Sequence, residues 1–340
     1  MSAYCIGVDL GGTNLRIAAI DTEGRLLEKI TTGTQVARGR DQVISEMCDA
    51  IRQLAVKFPG RLLGTGIGVP GIIEIETGTV RGSPNLPDWA DCPVRAEIER
   101  RLGTPVILEN DANSAALGEK WQGAARDYDS ICMLTLGTGV GGGIVLNGKI
   151  WHGMSGMAGE LGHVCVDPQG PACGCGSRGC LEQLASATAI KRMAVEAIAT
   201  GKAPELARAM KEDPEFSARV VFSMAEQGDA SAKQIFQRVG RALGLAIAGL
   251  VNIFNVPMVV IGGGVAAGWD AFAPTMLEEL RSRSLIYRAT APDPNLPAKN
   301  RTLISRALLG GDAGRDTTVD CESRSDAISI AQHVSAGFRL

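Results

Sequence analysis

The sequence predicts an α/β protein of two lobes, each built around the same strand meander. Three observations carry this: the length, a repeated glycine-turn unit, and apolar strands that alternate with amphipathic helices. At ~150 residues per domain, 340 residues amount to about two domains, and a composition of 45% hydrophobic and 21% charged residues is that of an ordinary globular core. Residues 4–30 read as strand, glycine turn, strand, turn, strand (YCIGVD, LGGTN, LRIAAID, TEG, RLLEKI). Residues 130–151 repeat the scheme (SICMLT, LGTGVG, GGIVL, NG, KIW), and aligning Asp9 with Thr135 superposes Leu10-Gly11 on Leu136-Gly137. Two widely spaced copies of one supersecondary unit mean a duplicated domain rather than a solenoid, which needs three or more short repeats.

Between the copies, the pattern predicts an amphipathic helix over 41–57, an apolar strand over 64–69 and a strand over 106–109 that ends at Asn110-Asp111. After the second copy come a glycine- and cysteine-rich loop region over 152–182, helices over 187–203 and 231–254, and a strand over 258–261. Strands alternating with helices imply a largely parallel sheet in each half. No serine- or proline-rich linker separates the halves, so they are expected to pack as lobes with a cleft between them. The apolar stretch 243–265 nearly reaches membrane-span length, but Asn252, Asn255 and Pro257 interrupt it, which favours a buried helix, a turn and a strand.

The first residues, MSAYCIGVDL, lack the charged and apolar regions of a signal peptide, so a cytoplasmic protein is expected. Thirty-four Lys and Arg against 37 Asp and Glu leave a formal charge of -3 with no basic block, which argues against nucleic acid as the partner.

Asp9-Leu10-Gly11-Gly12-Thr13-Asn14 follows a strand directly. Glycines there let backbone N–H groups approach a polyanion, the Thr13 hydroxyl adds a hydrogen bond, and the acid at the strand end can hold hydrated Mg²⁺. The turn containing Gly137, Thr138 and Gly139 repeats the arrangement, and Gly262, Gly263 and Gly264 close a third strand. The alternative is a set of tight hairpins that need positive φ. Neither a Walker loop nor a Rossmann fingerprint fits, because the first turn leads into a strand and no GK[ST] ends it.

Nine cysteines in a cytosolic chain are thiols or metal ligands rather than disulfides. Cys5, Cys48, Cys92, Cys132 and Cys321 are scattered singly, as small hydrophobes are. His163, Cys173, Cys175 and Cys180 instead follow the pattern H-x9-C-x-C-x4-C, with Cys165 outside the spacing. Three thiolates and one imidazole make a closed tetrahedral zinc set, structural because no position is left for water. The alternative is a group of reduced loop thiols. The same loop carries Glu160 before the histidine and Glu182 after the last cysteine.

Asp111 stands at the carboxyl end of a strand, where open α/β sheets bind ligands, and its carboxylate can accept a hydroxyl proton for phosphoryl transfer to an alcohol. Capping of the following helix is an equally good use of an aspartate there. Asn85 in SPNLPDW is a turn residue or a polar ligand contact, and His152 and His333 read as surface or core histidines.

Taken together, CGCGSRGCLE at 173–182, GELGH at 159–163, ENDAN at 109–113, DLGGTN at 9–14 and LGTGVGGG at 136–143 resemble the ROK family of bacterial sugar kinases, within the hexokinase and actin-like ATPase superfamily. The resemblance spans about residues 4–314, and SPNLPDW at 83–89 is nearer the glucokinase members than the N-acetylhexosamine kinases. It implies two actin-like (ribonuclease H-like) lobes, at 1–115 and 116–314, with the zinc loop at 159–182. Asp111 then matches the family's catalytic base, and His163, Cys173, Cys175 and Cys180 its zinc ligands. Asn85, Asn110, Asp111, Glu160, His163 and Glu182 match hexose-hydroxyl contacts, and the turns at Asp9, 11–14, 137–139 and 262–264 match the loops that hold ATP with Mg²⁺.

The implied activity is ATP-dependent phosphorylation of a hexose, D-glucose first. Mannose, fructose or an N-acetylhexosamine are the alternatives, with a non-catalytic sugar-responsive regulator as a different class. The expected partners are hexose and ATP, with neither nucleic acid nor membrane, in a homo-oligomer such as a dimer. The family's repressors carry an N-terminal helix-turn-helix, which is not expected here because the first strand begins by Tyr4. The segment 315–340 departs from the family's alanine-rich last helix, and within it only 325–334 has a helical pattern.

Overall fold

The computed structural model describes residues 3–83, 85–293, 296–297 and 300–309. The tail 315–340, its expected helix over 325–334, Cys321 and His333 lie outside the described residues.

The chain opens with the expected meander: β1 (Ala3–Leu10), β2 (Asn14–Asp21) and β3 (Leu26–Gly33), followed by α1 (Arg40–Ala55), β4 (Arg61–Val69) and a short hairpin of β5 (Ile72–Glu74) and β6 (Thr79–Gly82). Next come α2 (Val94–Leu102), β7 (Val106–Asn110) and α3 (Asp111–Gln122). The second meander is β8 (Ile131–Leu136), β9 (Val140–Leu146) and β10 (Lys149–Ile150). Helices α4 (Glu182–Ala185), α5 (Ala187–Ala199), α6 (Pro204–Glu212), α7 (Ala218–Glu226) and α8 (Ala230–Phe254) precede β11 (Met258–Gly262), and α9 (Trp269–Arg283), α10 (Leu285–Thr290) and β12 (Leu303–Arg306) follow it.

The two five-stranded sheets have matching orders, β3-β2-β1-β4-β7 and β10-β9-β8-β11-β12. In the first, β1 pairs antiparallel with β2 and parallel with β4, and β4 pairs parallel with β7. In the second, β11 runs parallel to both β8 and β12. Register confirms the duplication residue by residue. Asp9 lies opposite Gly68 on the neighbouring parallel strand, and Thr135, its counterpart in the second copy, lies opposite Gly262.

The described residues divide into two compact units, one containing those within 1–129, 143–159 and 308–309, the other those within 130–142 and 160–307. The expected boundary at 115/116 falls within α3. In the first unit, alternate side chains of β1 (Tyr4, Ile6, Val8, Leu10) pack with Val43, Ile44, Met47, Ile51 and Leu54 of α1, while Cys5, on the opposite face, lies with Ala18, Ile20 and Trp121 of α3. Both faces of the sheet are therefore covered, as its parallel strands require. In the second unit, Gly240 and Gly244 bring α8 against α9: a Cβ at Gly240 would lie 2.3 Å from the Phe272 carbonyl oxygen.

The helix expected over 187–203 is α5, which ends four residues earlier at Ala199, and α6 begins just past the expected range. Gly201 has φ +71° and Pro204 opens the new helix, and the two together stop the first and restart the second. The apolar stretch 243–265 divides as expected: Asn255, at φ 48° and ψ 43°, caps α8 in the left-handed conformation before β11 begins. Among the described residues no helix is long and apolar enough to cross a membrane.

Candidate active site and metal centre

In the first unit, β7 delivers Asn110 and Asp111 to the start of α3. Asn110 is the helix cap: its side-chain oxygen accepts the N–H groups of Ala112 at 2.9 Å and Asn113 at 3.2 Å, while its amide nitrogen donates to the Gly71 carbonyl at 3.3 Å. The capping role that an aspartate at 111 could fill therefore belongs to its neighbour. Asp111 is the first helical residue, half-buried, with Oδ1 accepting the Ala112 N–H at 2.8 Å. Its carboxylate stands at the positive end of the helix dipole.

Beneath this corner lies Glu109, 2% exposed. One of its oxygens accepts the Asn110 N–H at 2.9 Å and the Asn113 side-chain amide at 3.0 Å; the other meets His152 Nε2 at 2.7 Å. Burial pushes the Glu109 carboxyl up, but the His152 hydrogen bond and charge together with the Asn110 and Asn113 hydrogen bonds outweigh it, so the group titrates below the ordinary carboxylate range. The same bond holds the His152 imidazole above its ordinary value against partial burial. Sequence reading left His152 without a role, and no local spacing links it to Glu109.

Asp9 sits at the end of β1, 7% exposed, with Oδ2 paired to Arg16 at 2.9 Å across the antiparallel ladder. The turn beyond it closes through the Gly11 N–H to the Asn14 carbonyl at 2.9 Å, with Thr13 and Asn14 exposed. Gly12 is glycine because of space rather than backbone angle: a Cβ there would lie 3.0 Å from the Asn85 Cβ. The structure thus brings the exposed Asn85 against the first glycine turn.

In the second unit, Gly137 N–H bonds the Gly139 carbonyl at 2.9 Å. A Cβ at Gly139 would come 2.3 Å from Glu182 Oε2, whereas one at Gly137 would meet only the Gly139 carbonyl oxygen, at 4.0 Å. Neither glycine has positive φ, so the tight-hairpin explanation does not account for them. Gly263 does, at +85°, and a Cβ there would lie 2.5 Å from the Leu136 backbone, which fixes the third glycine run beside the second turn.

His163, Cys173, Cys175 and Cys180 come together, with ligand atoms all within 4.8 Å of one another. Cys173 Sγ lies 3.6 Å from His163 Nδ1, and Cys175 Sγ lies 3.7 Å from Cys180 Sγ. Zinc–ligand bonds of ~2.3 Å to sulfur and ~2.0–2.1 Å to nitrogen, in a tetrahedron, require sulfur–nitrogen and sulfur–sulfur edges of roughly 3.6 and 3.8 Å. The donor set fits the ion in kind, number and size. Gln183 reaches Cys173 Sγ at 3.8 Å as an outer donor, and His163 Nε2 lies 4.0 Å from Glu160 Oε2. Cys165 stays exposed and outside the cluster, as its spacing implies. Cys5, Cys48, Cys92 and Cys132 are buried, and burial pushes the Cys5 thiol up to about 11 and the Cys132 thiol up to about 12, so they behave as hydrophobes.

A twice-used sheet with glycine turns at strand ends, and a carboxylate at a helix start beyond a parallel strand, define a protein of the actin-like ATPase class. Within that class the chain belongs to the ROK family, whose model matches residues 5–306. It is 45% identical over 270 residues to a glucokinase of Thermotoga maritima, covering 79% of this chain and 84% of that protein. A glucokinase of Halalkalibacterium halodurans is 39% identical over 315 residues, 92% of each chain. The crystal structure of a ROK family glucokinase from Streptomyces griseus in complex with glucose and AMPPNP superposes with a TM-score of 0.78 at 30% identity, covering 98% of this chain and 100% of that one.

Proposed function

We propose that this protein transfers the γ-phosphoryl group of ATP to the 6-hydroxyl of D-glucose. The observation that carries the reading is the division of labour at the β7–α3 corner. Asn110 bridges the Ala112 and Asn113 N–H groups at the helix end, and Asp111 beside it, the first helical residue, brings the carboxylate that takes the proton of the attacking hydroxyl. The similarity to glucokinases supports the same substrate.

In the first unit, Asn85, Asn110 and Asp111 are assigned to hexose hydroxyls, and Asp9 with the 11–14 turn to the nucleotide phosphates. In the second unit, the turns at 137–139 and 262–264 are assigned to the nucleotide, and Glu160, His163 and Glu182 to the hexose. Magnesium accompanies ATP and neutralises phosphate charge when bound; the Asp9 carboxylate is the hard oxygen donor assigned to it. Zinc held by His163, Cys173, Cys175 and Cys180 keeps the loop ordered and takes no part in the chemistry, because a closed set leaves it no open position. Thiolate ligands and ATP as donor support a cytoplasmic setting for the reaction.

The test is ADP release over a panel of hexoses, with D-glucose giving the highest kcat/KM. Turnover centred on mannose, fructose or an N-acetylhexosamine would move the substrate assignment, and sugar binding without turnover would make the protein a regulator.

A further inference from the structure

The glycine turn 137–140 is fastened by the stretch that follows the last zinc ligand. Ala187 N–H donates to the Gly137 carbonyl at 2.8 Å, the Thr188 hydroxyl donates to the Thr138 carbonyl at 2.8 Å, and Val140 N–H donates to Glu182 Oε2 at 3.1 Å. All three groups lie within nine residues of Cys180 and in the same compact unit as the turn. The first two contacts orient the turn by occupying its carbonyls. The third differs in kind, because it sets a carboxylate against the backbone of a loop assigned to phosphate oxygens. Gly139 leaves it room: a Cβ there would be 2.3 Å from the same oxygen.

An anion in that position opposes a polyphosphate twice. It takes a backbone donor, and it repels like charge at short range. A hexose hydroxyl is a donor with no charge of its own, so it can bond the same carboxylate without either conflict.

We propose that Glu182 is a positioning residue that couples the two substrates: without a hexose it occupies the Val140 amide and disfavours the nucleotide, and a hexose hydroxyl draws it off the turn and raises nucleotide affinity. This rests on the assignment of Glu182 to the hexose and of the 137–139 turn to phosphate. Binding of sugar is thereby favoured before ATP, which limits phosphoryl loss to water, and by reciprocity the nucleotide tightens the sugar by the same factor.

The experiment is calorimetric titration of Mg-AMPPNP into the full chain, with and without saturating D-glucose, for the wild type and Glu182→Gln, which keeps the shape and removes the charge. The wild type is expected to bind AMPPNP at least about fivefold tighter with glucose present, the lower end of usual coupling factors. Glu182→Gln without glucose should already bind AMPPNP to within about twofold of the glucose-loaded wild type, whatever its own glucose affinity. Equal AMPPNP affinity of the two proteins without glucose overturns the proposal, as does a wild type whose AMPPNP affinity ignores glucose. A wild type that binds neither glucose nor AMPPNP overturns the underlying assignment as well, and so is told apart from failure of the coupling alone.

Discussion

His152 Nε2 lies 2.7 Å from Glu109 Oε2, and this pair supports the corner on which Asp111 stands. The carboxylate is 2% exposed and also holds the Asn110 N–H and the Asn113 amide, so it joins the segment around 152 to both the end of β7 and the first turn of α3. Removing the imidazole leaves a buried anion with two neutral donors. Losing one partner of a fully buried pair costs about 3–5 kcal/mol, and the imidazole's 26% exposure lowers the expectation for His152→Ala to about 1–3 kcal/mol. Chemical denaturation of the variant checks this, and a change below about 0.5 kcal/mol, ordinary for a surface substitution, would show that the pair contributes nothing.

The same pair gives stability a defined pH window. His152 is raised, so its contribution is complete below the unfolded imidazole value of ~6.5 and is lost as pH rises through the folded one. Glu109 is lowered, so its contribution is complete above the unfolded value of ~4.3 and is lost as pH falls through the folded one. Both shifts assign full strength to the interval between roughly pH 4.3 and 6.5. The difference in Tm between wild type and His152→Gln should therefore be larger at pH 5.5 than at pH 9. A difference that grew toward pH 9 would contradict the ion pair.

Much of this arrangement was legible in the sequence. The repeat is local chemistry, an apolar strand run into glycine, so the correspondence of Asp9 with Thr135 is visible in the residues themselves and is matched by their pairing with Gly68 and Gly262. The metal set was legible for the same reason, since its ligands lie within one short loop. Three features were not. Asn110 and Asp111 are both good cap residues, and only the folded chain shows that Asn110 holds the N–H groups of both Ala112 and Asn113 while Asp111 reaches Ala112 alone. The Glu109–His152 and Asp9–Arg16 pairs depend on strand register and chain return rather than on spacing. The β5–β6 hairpin was missed because strands of three and four residues are too short to show an alternating pattern.

Base and cap can be separated by substitution at adjacent positions. Asp111→Asn should lower kcat by about 10²–10⁴, the usual range for loss of a general base, while leaving the glucose KM within about tenfold. Asn110→Ala removes the cap and should cost about 0.5–2 kcal/mol of stability, a loss Asp111→Asn should not share. Near-normal turnover in Asp111→Asn would end its assignment as the base.

The metal centre predicts about one zinc per chain by elemental analysis. Chelation should lower both Tm and activity, because binding free energy at a closed site is folding free energy for the loop. Cys175→Ala, which removes one of four ligands, should abolish stoichiometric zinc. A folded, fully active protein without the metal would refute the structural role.

The glycines give the last test, because the structure separates one whose own backbone and neighbours require it from one whose surroundings leave room for a side chain. At Gly263, φ of +85° and a Cβ position 2.5 Å from the Leu136 backbone mean that Gly263→Ala must strain or move two chain segments, so it should cost well over about 1 kcal/mol. At Gly137 φ is not positive, and the nearest atom to an added Cβ is the Gly139 carbonyl oxygen at 4.0 Å, an ordinary contact. Gly137→Ala should therefore leave stability within about 0.5 kcal/mol of the wild type, as neutral surface substitutions do. If the turn receives phosphate oxygens on its backbone, the new methyl stands where they approach, and the KM for ATP should rise at least about tenfold with the glucose KM within about threefold. An unchanged ATP constant in a stable Gly137→Ala protein would remove the turn from the nucleotide site, since a methyl at the proposed approach of the phosphates must interfere with them.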